Sequence, residues 1–156
     1  MENWVEIRKS ADFMKMASDY AISPITARIL RNRDLTDPSE IRNFLSPGPE
    51  AFHDPITLTG MNRVILVLKE KISAGLKIRI IGDYDVDGIT STYIFYKGLK
   101  YFGADVDYVI PHRIEDGYGI NIRLIDDAYK AGVDTILTCD NGIAAYDQTE
   151  HATSLG

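Results

Sequence analysis

A single cysteine, Cys139, is all the thiol chemistry the chain has, so no internal disulfide can form and a reducing setting is expected. Long apolar runs are also missing: nothing approaches the roughly 18 consecutive residues that span a bilayer. The opening stretch MENWVEIRKS lacks the apolar core of a secretory signal. These absences lead to the expectation of a soluble, cytoplasmic protein. Positive charge is scarce as well, with 17 basic against 23 acidic residues and a net charge of −6, which argues against a broadly basic phosphate-binding surface. There is no internal repeat and no low-complexity tract. What remains is 156 residues, 45% of them hydrophobic, enough to form the core of one ordinary domain.

The charge is unevenly placed. Residues 1–50 carry 7 basic and 8 acidic side chains, and residues 51–156 carry 10 and 15. The surplus includes tight carboxylate clusters, which are either solvated surface or sites that hold divalent cations and so reverse the local field.

Punctuation divides the chain into a helical N-terminal segment, 1–55, and an α/β segment, 56–156. In the first, helices are predicted from about Ser10 to Tyr20, from Ser23-Pro24, and from Asp37-Pro38, where aspartate can cap and proline suits the first turn. Ser46-Pro47-Gly48-Pro49 reads as a loop. In the second, Val64, Leu68 and Ile72 recur at helical spacing before Gly75. Strands are then predicted at Lys77–Ile81, Val106–Ile110 and Thr135–Thr138. Helices alternate with them at Thr90–Phe102, Asn121–Ala131 and Ala144–Leu155. Strand alternating with helix implies a parallel, Rossmann-like sheet flanked by helices, with ligands beyond the carboxyl ends of the strands.

The loops at those ends carry the chemistry. Asp83, Asp85 and Asp87 crowd three carboxylates after the first strand, where mutual repulsion calls for a cation, and Gly88 permits a tight turn. A solvated acidic turn is the plain alternative. An EF-hand loop also begins D-x-D-x-D-G, but its twelfth position here is Ile94 and a strand precedes it. An aspartyl-phosphate phosphatase, with Asp85 as nucleophile and Asp87 as acid/base, is a third option, weakened because Asp83 and Tyr84 separate the strand from the nucleophile. Asp140, after the third strand, is a further ligand candidate or part of an Asp-Asn-Gly turn. Arg113 with Gly117, Tyr118 and Gly119 would suit a phosphate, although Arg113 has Glu115 and Asp116 as nearby ion-pair partners. His53, His112 and His151 are dispersed and read as surface or packing residues. Cys139 reads as a small buried apolar group. Tyr93, Phe95, Tyr96, Tyr101 and Phe102 share one helix and are expected in the core.

Taken in order, IIGDYDVDGITS, IPHRIEDGYGI and TCDNGI resemble the first three motifs of the DHH phosphoesterase family in its RecJ-type branch. The stretch ILRNRDLTDPSEIRNFLSPGPEAFHDPITLTGMNRV is similar to what precedes the first motif there, so the resemblance spans nearly the whole chain. It implies that Asp85, Asp87 and Asp140 bind catalytic Mn2+ or Mg2+, with Asp83 beside them. Arg113, Gly117, Tyr118 and Gly119 would face DNA phosphates, and the reaction would be hydrolysis of single-stranded DNA from the 5′ end. The Asp-His-His motif that names the family is absent, so the chain is expected to be a truncated piece with an incomplete metal site, inactive alone. Other members of the family act on short oligonucleotides or cyclic dinucleotides. The reading from a different class is a non-catalytic interaction module that self-associates through an exposed sheet edge.

Overall fold

The computed structural model describes residues 8–156, so residues 1–7 of the expected N-terminal segment lie outside it. The chain forms two compact units, one reaching Leu58 and the other running from Thr59 to Gly156.

In the first unit, helices α1 (Phe13–Tyr20), α2 (Pro24–Asn32) and α3 (Pro38–Leu45) each start at a side-chain cap: Asp12, Ser23 and Asp37. Helix α1 begins three residues later than its apolar pattern implies, because Asp12 takes up the Lys15 N–H at 2.9 Å and fixes the entry there. Pro49, expected in a loop, opens a short 3₁₀ turn, Pro49–Ala51. Ala17, Ala27, Leu30 and Ile41 are buried.

The second unit opens with α4 (Met61–Ser73) and continues β1 (Ile78–Ile81), α5 (Val86–Tyr101), β2 (Val106–Val109), α6 (Ile122–Lys130), β3 (Thr135–Thr138) and α7 (Tyr146–Ser154). All strands are parallel in the order β2-β1-β3, with Ile78 in register with both Val106 and Thr135. The expected α/β class and parallel sheet are therefore present. Central strand β1 is the most buried, and Ile78, Ile80, Leu99, Ala104, Val106 and Cys139 form the core around it. Cys139 is thus the buried apolar group expected, touching the Thr92 hydroxyl at 3.3 Å.

Three expectations need correction. Helix α5 starts at Val86, not Thr90, because Asp85 caps it; Asp87 and Gly88 therefore sit in its first turn instead of a loop. The aromatics of this helix are mostly outside the core: Tyr93, Tyr101 and Phe102 are 63%, 86% and 70% exposed. The inward face is taken by Gly88, Thr92 and Leu99, which let the helix lie close to the sheet, and only Tyr96 is packed against the core. Helix α7 likewise starts at Tyr146, two residues after the expected Ala144.

Candidate metal centre

The strand order decides where a site can form. The chain leaves β1 for β2 on one side and then crosses to β3 on the other, so the loops after β1 and β3 diverge around a crevice at the carboxyl edge of the sheet. Asp83, Asp85 and Asp87 lie on one wall of that crevice, and Asp140 is on the other.

The first wall is built by close approach. A Cβ on Gly88 would lie 2.6 Å from the carbonyl carbon of Asp83, so only glycine lets the start of α5 touch the end of β1. Asp85 completes the junction by accepting the Gly88 N–H at 3.0 Å through Oδ1. Asp87 falls in the first turn, where the helix dipole favours an acid. Asp83 is the unusual member: it is fully buried, and neither carboxylate oxygen has a hydrogen-bond partner. Buried polar oxygens are almost always satisfied, and an unpaired carboxylate is costly.

The second wall depends on an unusual backbone. Asp140 has φ +60°, a left-handed conformation that non-glycine residues rarely adopt, so the chain bends sharply at Asp140 and Asn141 within the candidate ligand loop. Asn141 spans the two walls, its Nδ2 donating to the Ile81 carbonyl at 3.1 Å and the Cys139 carbonyl at 3.0 Å; its Oδ1 is buried without a partner. The Asp140 carboxyl is raised above the ordinary carboxylate range, first by desolvation, then by the charge of Asp85 and a hydrogen bond to it, then by Asp87 and Asp83. The two walls therefore share one negative field. Among the described residues, no three His, Cys, Asp or Glu side chains stand at ready-made ligand spacing. The orphaned oxygens of Asp83 and the all-oxygen donor set nevertheless fit a hard divalent cation such as Mn2+ or Mg2+.

The loop after β2 leans on both walls. Tyr118 donates its hydroxyl to the Asp140 carbonyl at 3.0 Å and meets the Tyr84 ring edge-on, with centroids 6.2 Å apart. Desolvation and the charges of Asp83, Asp140 and Asp85 push the Tyr118 hydroxyl upward. Arg113 lies over the other partner, Tyr84, 5.3 Å from its centroid. Asp116, one of its expected ion-pair partners, instead pairs with Arg123 and accepts the His112 N–H at 2.7 Å. Gly117 and Gly119 both have positive φ, and buried Gly119 sits against Asn141, where a Cβ would come within 3.2 Å of the Asn141 Cβ.

His53 and His112 are exposed, and the His151 ring pairs with Asp126 at 2.7 Å. Ile94, the residue that rules out an EF-hand, is 69% exposed on α5. Tyr84 and Asn141 are the site residues that sequence reasoning passed over. An aromatic inside an acidic loop and an amide beside a strand-end acid were the available signals.

A model of the DHH family, N-terminal domain, matches residues 77–156. Among curated proteins, the single-stranded-DNA-specific exonuclease RecJ of Bacillus subtilis is 35% identical over 154 residues, covering 98% of this chain and 20% of that protein. RecJ of Escherichia coli is 38% identical over 100 residues, covering 64% and 17%. A crystal structure of exonuclease RecJ bound to manganese matches at TM-score 0.58 and 37% identity, over 62% of this chain and 25% of that one. RecJ from Thermus thermophilus in complex with Mn2+ matches at TM-score 0.61 and 24% identity, over 96% and 20%, a likeness of fold. The chain spans about a fifth of the length of the curated relatives it matches.

Proposed function

Since this chain belongs to the DHH family and is a RecJ homologue, we propose that it supplies part of a divalent-metal phosphodiesterase site acting on single-stranded DNA from its 5′ end. Residues 56–156 are on this reading an incomplete DHH phosphoesterase domain, 1–55 its helical N-terminal segment, and the setting cytoplasmic. The observation that carries the proposal is Asp83, a fully buried carboxylate with two unpartnered oxygens beside the crevice that Asp85, Asp87 and Asp140 line.

Each residue then has a role. Asp83, Asp85, Asp87 and Asp140 hold Mn2+ or Mg2+. When bound, the cation stabilises charge that builds on the scissile phosphate. Arg113, exposed and supported on the Tyr84 ring, offers its guanidinium to a phosphate, and the Gly117-Tyr118-Gly119 loop offers backbone amides. With 15 acidic against 10 basic residues in 51–156, a DNA strand is repelled from this surface until the carboxylates are neutralised. DNA affinity should therefore depend on the divalent cation.

Turnover is proposed to need more than this segment, because no three-ligand set is assembled among the described residues. A nuclease assay in Mn2+ tests the point. Digestion of 5′-labelled single-stranded DNA by residues 1–156 alone, abolished by Asp85→Ala, would overturn it. Calorimetric titration tests the metal reading itself: weak, saturable Mn2+ binding removed by both Asp85→Ala and Asp140→Ala is expected, and metal indifference refutes it.

The outer edge of β3 favours one second reading. Among the described residues it has no partner strand in the β2-β1-β3 order, so it is open to strand addition by another copy of the chain. Sedimentation at rising concentration should then show dimer, and a monomer throughout excludes it.

A further inference from the structure

The loop after β2 does something separate from any contact with substrate. Asp140 is held at φ +60°, a backbone conformation that asparagine, aspartate and glycine tolerate but do not prefer. Something must hold it there. Two residues reach the segment from the loop after β2: the Tyr118 hydroxyl bonds the Asp140 carbonyl at 3.0 Å, and Gly119 abuts Asn141, whose amide in turn bonds the Ile81 and Cys139 carbonyls. The two loops interlock residue for residue, Tyr118 on Asp140 and Gly119 on Asn141.

We infer that Tyr118 is a positioning residue for Asp140: its hydroxyl clamps the left-handed peptide so that the Asp140 carboxyl turns toward Asp85 across the crevice. This rests on the metal-site reading above and adds to it a specific division of labour. Arg113 and the exposed Gly117 are left for phosphate, and the tyrosine between the glycines serves the ligand wall. The supporting contact with Tyr84, itself between Asp83 and Asp85, ties the clamp to the opposite wall. A cation drawing on both walls would thus find their spacing set by a Tyr84–Tyr118 pair.

The test is Tyr118→Phe, which keeps the ring and removes only the donor, in the 156-residue chain labelled for NMR. The Asp140 signals should lose their left-handed Cα and Cβ shift pattern in part and the Asp140 and Asn141 amides should exchange faster, with no change at the far ends of the strands. Mn2+ affinity, read by calorimetry, should fall about two- to ten-fold, the effect one net hydrogen bond supports. Unaltered Asp140 signals in Tyr118→Phe overturn the clamp, as does a Mn2+ affinity equal to that of the wild type. If the wild-type chain ignores Mn2+ while the Asp140 signals still move, the clamp stands and the metal reading fails. If the variant keeps Asp140 and Mn2+ unchanged but weakens binding of a 5′-phosphorylated oligonucleotide, Tyr118 is a phosphate contact and the inference is wrong.

Discussion

Replacing Asp83 by asparagine removes a charge from a fully buried position where neither carboxylate oxygen has a partner, while keeping the side chain's shape. Leaving a buried polar group unsatisfied costs about 1–3 kcal/mol, and more when it is charged. The asparagine amide remains poorly satisfied, so a net gain of about 1–2 kcal/mol is expected in chelator. For a unit of the size of Thr59–Gly156, each kcal/mol moves the melting midpoint by roughly 4–8 °C, so calorimetry should register a rise on the order of 5–15 °C. Manganese should reverse the order. At about 100 times its dissociation constant, a ligand that binds only the folded state adds roughly 2.7 kcal/mol, available to the wild type and largely lost to the variant. A variant that melts below the wild type in chelator, yet gains as much from Mn2+, would refute the argument that Asp83 is a carboxylate waiting for a cation.

Further outcomes follow from the surrounding structure. Gly88→Ala drives a methyl group into the Asp83 backbone, so urea denaturation should show a loss of about 1–3 kcal/mol or more, an overpacking penalty. Asp107 is held below its ordinary value of 3.8, chiefly by the Arg79 guanidinium that bonds both its oxygens at 2.7 Å. Its contribution is therefore present above pH 3.8 and lost as pH falls through the depressed value, so Asp107→Asn should flatten the acid limb of the stability profile and cost about 1 kcal/mol at neutral pH, the pair being partly solvent-screened. Asp140 has the opposite sign: its raised value means stability is fullest below 3.8 and declines as pH rises through the folded-state value, and Asp140→Asn should remove that decline in metal-free urea titrations. Arg113→Ala should leave stability within ~0.5 kcal/mol, as an exposed substitution, while weakening Mn2+-dependent capture of a 5′-phosphorylated oligonucleotide.

Much of this was legible in the residues because local rules and tertiary structure agreed. Thr135–Thr138 matched its strand to the residue, and the capped prolines at Pro24 and Pro38 marked helix starts that packing had no reason to move. The start of α5 was misplaced because Asp83-Tyr84-Asp85-Val86-Asp87-Gly88 has poor helical propensity, and what makes it helical is the Asp85 cap together with a glycine pressed on the strand end. The outward aromatics of α5 were misread for a similar reason: composition says large rings go inside, and only the fold reveals that glycine and threonine hold the inner face. The candidate site was recognisable as acids at strand ends. Its internal wiring was not, because a tyrosine hydroxyl bonding a carbonyl 22 residues away has no counterpart in local pattern.

The parallel register also brings together acids that the chain keeps far apart. The acids after β1 and the acid after β3 become neighbours only when Thr135 docks beside Ile78, a distant closure in the chain that is slow to be rewarded. Repulsion between the two walls is thus postponed until the sheet is whole, whereas that among Asp83, Asp85 and Asp87 is local from the start. A divalent ion in the refolding buffer should leave the early kinetic limb untouched and lengthen the lifetime of the finished state, acting as a latch and not a nucleus.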